Sequence, residues 1–231
     1  MGRALTVVVP TYNEYGNVTE LLERITASLK GVDFEVVFVD DGSPDGTAGL
    51  LERLGKNHGN VTVHRRPRKI GLASAVLEGI ILAKADAIAV IDADLQHPPE
   101  LLPQMYQKLK EGYDIVIASR YHRRGGIEDW SLWRKMVSKG ANILAHIVLP
   151  RTRKIRDPMS GYFLFKMEVL NGIRLNPTGF KILLEVLSEG EYNAAIEVPY
   201  IFKPRQKGGS KLGFREIAFY ILLLFKLKVR L

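Results

Sequence analysis

A short acidic stretch after one apolar run carries the residues best suited to chemistry. The run is Ala87-Ile88-Ala89-Val90-Ile91, and it is followed by Asp92-Ala93-Asp94-Leu95-Gln96-His97-Pro98-Pro99. Residues i and i+2 of a strand lie on one side, and a turn just past the strand can keep Asp92 and Asp94 together in the same way. Two converging carboxylates are costly unless a positive charge lies between them, and a hard divalent cation with oxygen ligands is the simplest candidate. A polar turn that merely closes a strand is the alternative for this stretch alone.

Strands and helices alternate through the amino-terminal half of the chain. Apolar, β-branched runs predict strands at residues 4–9, 34–39, 61–64, 87–91 and 114–119. Helices are predicted at 18–29, with Asn17 as the N-cap, at 48–54 and at 71–83. This alternation is typical of an α/β fold with a mostly parallel central sheet flanked by helices.

Acidic residues follow several of the predicted strands. Glu14 follows the first strand, Asp40 and Asp41 the second, and Asp92 and Asp94 the fourth. In parallel sheets ligands bind outside the carboxyl ends of the strands, and an acid after the second strand suits ribose hydroxyls or a base edge. No G-x-G-x-x-G follows the first strand and no Walker A lysine loop is present, so the dinucleotide and P-loop classes lose their main support.

Two stretches of the carboxy-terminal half have the pattern of interfacial helices, 130–149 and 214–231. The first begins with Trp130 and Trp133 beside basic residues, and the second joins an apolar core to Lys226, Lys228 and Arg230. Tryptophan and basic residues beside an apolar face are typical of helices that lie in a membrane surface. Packing of both helices onto the sheet as core is the alternative.

The segments between these helices predict a strand at 162–166, a helix at 180–189 and a strand at 195–202. Residues 203–211 then combine proline, paired glycine and four cations without an apolar anchor. A loop of this kind can fold over a diphosphate, and a plain basic linker is the alternative.

Composition bounds the class of protein. The chain has 231 residues, 46% of them hydrophobic and 25% charged, which suits one large globular domain or two small ones. A formal net charge of +8 favours an anionic partner. Cysteine is absent, which excludes disulfide frameworks and thiolate metal sites. The early strand predicts that there is no signal peptide, and no apolar run reaches the ~18 residues that span a bilayer.

Motifs spread in order over nearly the whole chain carry a family resemblance. They are Val9-Pro10-Thr11-Tyr12-Asn13-Glu14, Val39-Asp40-Asp41-Gly42-Ser43-Pro44-Asp45, Gly71-Leu72-Ala73-Ser74-Ala75, Asp92-Ala93-Asp94-Leu95-Gln96-His97-Pro98-Pro99-Glu100, Ser119-Arg120-Tyr121, Trp133-Arg134-Lys135, Arg156-Asp157-Pro158-Met159-Ser160-Gly161-Tyr162-Phe163 and Gly208-Gly209-Ser210-Lys211-Leu212. Each motif is weak by itself, but their order is highly specific. The chain resembles the inverting family-2 glycosyltransferases with the GT-A fold, and within them the dolichol-phosphate mannose synthases.

The resemblance implies metal-dependent transfer of mannose from GDP-mannose to dolichyl (polyprenyl) phosphate, with Mg²⁺ or Mn²⁺ as cofactor. It assigns the metal to Asp92, Asp94 and Gln96. It assigns nucleotide-sugar contacts to Pro10, Tyr12, Glu14, Asp40, Asp41, Asp92, Ala93, Arg205 (less so Lys207) and Lys211. The acceptor phosphate falls to Arg120, Arg134 and Ser138, and the catalytic set is Asp94, Arg120 and Arg134.

The chemistry of this reaction agrees with these residue types. A phosphate monoester nucleophile is already anionic, so it needs guanidinium groups to hold it rather than a general base. Arg120 as a surface cation, Arg134 as a solvated helix residue and His97 as a capping residue remain alternatives. Asp157-Pro158 with Ser160-Gly161 reads naturally as a structural turn.

The predicted organisation is a catalytic domain over residues 1–213, with a nucleotide-binding half at 1–119 and an acceptor half at 120–213, and an interfacial helix at 214–231. We predict peripheral attachment to the cytoplasmic face of a membrane, while removal of transmembrane helices after Leu231 stays open. A related polyprenyl-phosphate transferase that uses a UDP-sugar such as UDP-glucose is the alternative enzyme. A basic module that binds nucleic acid is disfavoured, because it would not gather acids at strand ends.

Overall fold

A seven-stranded sheet with helices on both faces organises the part of the chain that this computed structural model describes, residues 3–176, 181–204 and 214–230 (backbone alone for 214–217). The strands of the sheet are β1 Leu5–Thr11, β2 Phe34–Asp40, β3 Val61–Arg65, β4 Ala87–Val90, β5 Ile115–Ser119, β7 Phe163–Lys166 and β8 Ala195–Pro199. Their order is β3-β2-β1-β4-β7-β5-β8. A separate parallel pair joins β6 Gly126–Ile127 to β9 Ile201–Phe202.

Helices cover the two faces as the alternation of side chains along β1 requires. The helices are α1 Val18–Ser28, α2 Thr47–Asn57, α3 Leu72–Leu82, α4 Leu102–Lys110, α5 Leu132–Val148, α6 Ile182–Glu189 and α7 Phe214–Arg230. Val7 and Val9 belong to the core formed with α1 and α4, whereas Val8 belongs to the core formed with α3 and α6. Successive residues of a strand point to opposite faces, so β1 is buried on both. The predicted fold class, a mostly parallel sheet flanked by helices, is confirmed.

Strand β7 runs against its neighbours. It pairs antiparallel with β4 on one side and with β5 on the other, while the remaining pairs of the sheet are parallel. The carboxyl ends of the parallel strands therefore share an edge with the amino end of β7. The segment that precedes β7, residues 157–162, is brought to the edge where the acidic loops emerge.

One predicted helix start is confirmed in position without its side-chain capping bond, and another is wrong by two residues. Asn17 occupies the N-cap position of α1, but its side chain caps no backbone N–H and donates from Nδ2 to Glu14 Oε2 at 2.6 Å. Helix α5 begins after Ser131, whose Oγ accepts the backbone N–H of Arg134. Trp130, predicted as the first residue of that helix, lies outside it.

The strand predicted at 195–202 is two strands. β8 follows β5 in register as far as Ser119 opposite Pro199, where β5 ends. The chain then takes a new partner, because Gly126 donates its N–H to the carbonyl of Tyr200 and β9 pairs with β6. The loss of the partner strand, rather than a change in local propensity, divides the predicted element.

Helix α7 is held to the rest of the protein by one apolar face. Its residues Tyr220, Leu223, Leu224 and Leu227 are buried with α5 and α6. The other side carries exposed Ile221, Phe225 and Val229 among others. Core packing and an exposed apolar face are therefore both present, one on each side of the helix. No helix among residues 3–176, 181–204 and 214–230 is long and apolar enough to cross a bilayer.

The end of α7 is anchored by a carboxylate whose burial gives a pH-dependent prediction. Glu185 is 1% exposed, accepts the N–H of Asn176 at 2.5 Å and lies 3.3 Å from Arg230 Nη1. Burial raises the pKa of Glu185 above its ordinary 4.5. Since the folded pKa is raised, ionisation of Glu185 costs stability as the pH rises through the ordinary value.

We expect the Tm of Glu185→Gln, relative to the native protein, to increase between pH 4 and pH 7. Exposed Glu191→Gln is the control and should show no such trend, and a flat or falling difference for Glu185→Gln would contradict the expectation.

Candidate active site

The loop after β4 gathers oxygen donors into a tight turn. Asp94 is 4% exposed, and its Oδ1 accepts the backbone N–H of Gln96 at 3.1 Å. Leu95 between them has a φ of 63°, in the left-handed region that branched side chains rarely adopt. Gln96 donates from Nε2 to the carbonyl of Lys203 at 2.7 Å. That bond directs the amide nitrogen toward Lys203, so the amide oxygen is the atom of Gln96 that can serve as a metal ligand.

His97 supports this loop from below. It is 2% exposed, and its Nδ1 accepts the backbone N–H of Asp92 at 3.3 Å, so the ring proton lies on Nε2. Burial lowers the pKa of His97 to about 4, with Arg120 and Lys181 acting in the same direction. The ring stacks on Tyr162 with centroids 5.2 Å apart. These surroundings favour the structural alternative for His97, a neutral ring packed against Asp92.

Gly161 leaves room for the Asp92 carboxylate. A Cβ on Gly161 would lie 2.9 Å from Asp92 Oδ2, which is closer than real Cβ atoms come, and 3.3 Å from His97 Cε1, which is a tight contact. The turn before β7 therefore shapes the space that Asp92 occupies.

Substitution at this glycine tests that contact. We expect Gly161→Ala to push Asp92 aside and to weaken Mn²⁺ binding about 10-fold, as changes behind metal ligands do. Calorimetric titration of Mn²⁺ in the presence of GDP measures the effect. Gly140→Ala, on α5 with no atom within 4 Å of the added Cβ, is the control. Unaltered Mn²⁺ affinity in folded Gly161→Ala would contradict the role given to Gly161.

The donor set of this loop fits a hard divalent cation. Asp92, Asp94 and Gln96 offer two carboxylates and one amide oxygen, the ligands that Mg²⁺ and Mn²⁺ accept. Within the described ranges, no group of three or more His, Cys, Asp or Glu side chains is arranged to enclose a metal. A site with so few acidic ligands leaves coordination positions for substrate oxygens, as sites for nucleotide diphosphates do.

The loops after β1 and β2 are tied to each other. Asn13 and Glu14 donate their backbone N–H groups to Ser43 Oγ and Thr47 Oγ1, at 2.9 and 3.0 Å. Asp40 is fully buried and accepts from Ser43 N and Oγ at 2.9 and 2.6 Å. The first two strand ends therefore form one rigid surface.

Asp41 organises the loop after β3. Its carboxylate accepts from Arg66 Nη1 at 2.8 Å and from the backbone N–H groups of Ile70 and Gly71 at 2.8 and 2.9 Å. Gly42 at φ 73° allows the close approach, since a Cβ there would lie 2.9 Å from the Arg68 backbone. Contact of Asp40 or Asp41 with a nucleotide stays a prediction. Both carboxylates already accept hydrogen bonds from the protein, so a nucleotide would have to bind without breaking those bonds.

The other predicted nucleotide residues line the same edge. Lys69 Nζ lies 3.6 Å from the centroid of the Tyr12 ring, a cation–π contact. Pro10 lies within β1 opposite Val39, and Ala93 is buried in the core beneath the metal loop. Arg205, Lys207 and Lys211 lie outside the described residues.

Arg120 is a buried ion-pair residue, not an exposed cation. Its Nε and Nη2 donate to the two oxygens of Asp157 at 2.8 and 2.7 Å, and its backbone N–H donates to Asp157 Oδ2 at 3.0 Å. Asp157 has no exposed surface, and its own N–H donates to Glu197 Oε1. Burial opposes the charge of Arg120, but Asp157 outweighs burial and holds the pKa of Arg120 above its ordinary value.

Arg134 and Arg120 meet at the Trp130 ring. The guanidinium carbon of Arg134 lies 4.1 Å from the ring centroid and that of Arg120 lies 5.7 Å away. Ser138 follows one turn after Arg134 and faces Tyr121. Burial raises the pKa of Tyr121 above its ordinary value, and Ser138 opposes this only in part. The three predicted acceptor residues are thus near one another, and their contact with an acceptor stays a prediction.

Lys181 is a cation of this site that sequence reasoning missed. Its Nζ donates to the carbonyl of Met159 at 2.8 Å. Burial lowers the pKa of Lys181 to about 8, Arg120 adds to the effect, and Asp157 and Asp92 oppose it. No sequence signal distinguishes this lysine from a solvated one, because its surroundings come from the turn before β7.

Comparison with known families follows the same motifs. Residues 6–174 match the family model described as Glycosyl transferase family 2. The chain belongs to glycosyl transferase family 2. The predicted resemblance is confirmed, and the family match includes the loops after β1, β2 and β4 and the turn before β7.

Curated members of the family include similar chains. A dolichol-phosphate mannosyltransferase of Pyrococcus furiosus is 45% identical over 223 residues, which are 96% of this chain and 63% of that protein. One of Saccharomyces cerevisiae is 35% identical over 236 residues, covering 97% of this chain and 86% of that protein. This chain therefore spans less than two thirds of the length of the archaeal relative.

Solved structures share the fold. Glucosyl-3-phosphoglycerate synthase from Mycobacterium tuberculosis, in complex with Mn²⁺, UDP-glucose and phosphoglyceric acid, superposes with a TM-score of 0.70 over 98% of this chain and 80% of that one. The two sequences are 19% identical, so the likeness concerns the fold alone.

Proposed function

We propose that the protein transfers mannose from GDP-mannose to dolichyl or another polyprenyl phosphate, with inversion and with Mg²⁺ or Mn²⁺ as cofactor. Two relatives are named for dolichol-phosphate mannosyl transfer, and one of them is matched over 86% of its length. The division into a donor half at residues 1–119 and an acceptor half at 120–213 belongs to the same proposal.

One observation carries the proposal. The loop with Asp92 and Asp94 lies against the aromatic group that holds Arg120 and Arg134. The centroid of the His97 ring is 5.9 Å from that of Phe202, and the centroid of Phe202 is 5.5 Å from that of Trp130. Acids suited to a metal–diphosphate and guanidinium groups suited to a phosphate monoester thus adjoin one another. This is the pairing that transfer from a nucleotide sugar to an anionic acceptor requires.

The reaction follows from this pairing. An oxygen of the acceptor phosphate attacks the anomeric carbon of mannose as the bond from that carbon to the diphosphate oxygen breaks. A single displacement inverts the anomeric centre, and GDP leaves with the bonding electrons. Arg120 and Arg134 hold the nucleophile in line, and Asp157 keeps Arg120 in place. A divalent cation at Asp92, Asp94 and Gln96 would stabilise the charge on the departing diphosphate.

A transfer assay tests the donor and acceptor together. The protein is incubated with dolichyl phosphate, Mn²⁺ and one labelled donor, either GDP-mannose, UDP-glucose or UDP-N-acetylglucosamine. We expect label in the lipid fraction from GDP-mannose alone, and its loss when EDTA replaces Mn²⁺. Label from UDP-sugars only would contradict the mannosyl assignment and favour the related UDP-sugar transferase.

Peripheral membrane contact is part of the proposal. Leu132, Trp133 and Met136 at the start of α5 are 80%, 72% and 64% exposed, next to the residues that would hold the acceptor phosphate. Phe225 on α7 is 66% exposed. Exposed apolar clusters of this kind suit burial in a lipid surface. Attachment at the cytoplasmic face of a membrane stays a prediction.

Vesicle flotation measures this contact. We expect Trp133→Ser with Met136→Ser to lower the vesicle–water partition coefficient by about 100-fold or more, since each fully buried aromatic or aliphatic side chain contributes roughly 1.5–3 kcal/mol. Ile81→Ser on α3, a residue 71% exposed, is the matched control and should float like the native protein. Equal losses for the two variants would show that general surface hydrophobicity, not the start of α5, governs binding.

A further inference from the structure

We infer that Trp130 is a positioning residue that holds Arg120 and Arg134 together for one anionic phosphate. The inference deepens the proposed function and rests on it, because the anion is the phosphate monoester of the acceptor. Trp130 was predicted only as part of an interfacial helix.

Trp130 lies where two cationic side chains from different elements converge. Arg120 follows β5, while Arg134 belongs to the first turn of α5. Both guanidinium carbons lie over the Trp130 ring, at 5.7 and 4.1 Å from its centroid. The ring is itself fixed by an edge contact with Phe202 at 5.5 Å, and Arg120 lies 5.6 Å from that second ring.

The start of α5 fixes Trp130 relative to Arg134. Ser131 caps the helix by accepting the N–H of Arg134, so Trp130 is the residue just outside the cap. Long side chains of a helix point back toward its amino terminus, which carries Arg134 over the ring. Trp133, one residue before Arg134, is instead 72% exposed. The only two tryptophans of the chain thus occupy different environments a few residues apart.

An aromatic ring suits this task better than a second carboxylate. Two guanidinium groups repel each other, and Asp157 already offsets the charge of Arg120. The electron-rich face of tryptophan attracts cations while it occupies the flat face of a guanidinium. Nε and Nη2 of Arg120 already donate to Asp157, and a ring on the flat face of the guanidinium leaves the N–H groups of its Nη1 for an anion. A further carboxylate would compete with the phosphate for those same N–H groups.

The experiment uses the intact protein with Mn²⁺, GDP-mannose and geranyl phosphate, whose short chain limits the contribution of the membrane. We expect Trp130→Leu to raise the KM for geranyl phosphate about ten-fold, with kcat and GDP affinity little changed. Trp130→Phe keeps a ring and should raise this KM only about two- to three-fold. Tyr106→Leu on α4, which also removes a partly buried aromatic ring, is the control and should leave the KM unaltered.

Arg134→Gln separates this inference from the proposed function. If Arg134→Gln raises the acceptor KM and Trp130→Leu does not, the positioning role alone is overturned. If Arg134→Gln also leaves the KM unchanged, the acceptor site and the proposed function fail with it. Should Trp130→Leu not fold, Trp130→Phe decides, and a native KM in that variant overturns the inference. In the Arg134→Gln background we expect Trp130→Phe to have less effect than in the native protein, and equal effects would count against a shared task.

Discussion

Replacement of Asp94 by asparagine is expected to lower mannosyl transfer by about 1,000-fold or more. The carboxylate is buried at the end of β4, where a bound cation would face the leaving diphosphate, and loss of that charge removes several kcal/mol of transition-state stabilisation. Asparagine keeps an oxygen that can accept the N–H of Gln96, so the turn should survive. Label transfer from GDP-mannose measures the rate, and calorimetric titration measures Mn²⁺ affinity.

The control for this variant lies at the other end of β4. Asp86 precedes β4 at the opposite edge of the sheet and is exposed, so Asp86→Asn removes one acid without touching the site. It should transfer mannose at the native rate. Native activity in Asp94→Asn with an unaltered Tm would refute the assignment of Asp94 as a metal ligand.

Replacement of Asp157 by alanine is expected to destabilise the fold by about 3–5 kcal/mol, because it leaves the buried charge of Arg120 without its partner. Asp157 has no exposed surface, and the Arg120 side chain is 10% exposed. Urea unfolding measures the loss. The exposed pair of Arg3 and Asp33 provides the comparison, since Asp33→Ala should leave the urea midpoint almost unchanged.

A double replacement distinguishes the stability of this pair from its function. Arg120→Met with Asp157→Leu removes both charges, and substitution of a buried pair by apolar residues is often neutral for stability. We expect this variant to unfold closer to the native urea concentration than Asp157→Ala, yet to have lost mannosyl transfer. Retained transfer would mean that Arg120 does not hold the acceptor, and a loss below about 1 kcal/mol in Asp157→Ala would contradict a desolvated pair.

The sequence predicted the amino-terminal half of the fold well, because its strands are continuous apolar runs with acids at their ends. Period and composition identify such strands, and parallel order follows from the helices between them. The loops with Asp40, Asp41 and Asp92 therefore came together at the expected edge. The ion pair between Asp41 and Arg66 could not be predicted, because two buried residues 25 positions apart leave no local pattern in the sequence.

The part of the fold after residue 119 was less predictable because its geometry comes from contacts remote in sequence. The sequence Phe163-Leu164-Phe165-Lys166 does not show whether the strand runs parallel or antiparallel to its neighbours. That orientation decides which of the two flanking segments reaches the site. The sequence predicts a turn residue at Asp157, and only the fold places it beside Arg120, 37 positions earlier. Composition alone predicts that Trp130 is a membrane anchor, and only the start of α5 after Ser131 distinguishes it from exposed Trp133.

The position of the reversed strand β7 also has a consequence for folding of the sheet. Strands β3, β2, β1 and β4 can pair as soon as residues up to 90 are present, but β4 and β5 have no direct pairing and are joined only through β7. The sheet is therefore complete only when this four-residue strand pairs on both sides, and such non-local pairing is of the kind that slows folding. The same pairing delivers Gly161 to Asp92 and Asp157 to Arg120. We therefore expect refolding followed by activity to lag behind refolding followed by helix content.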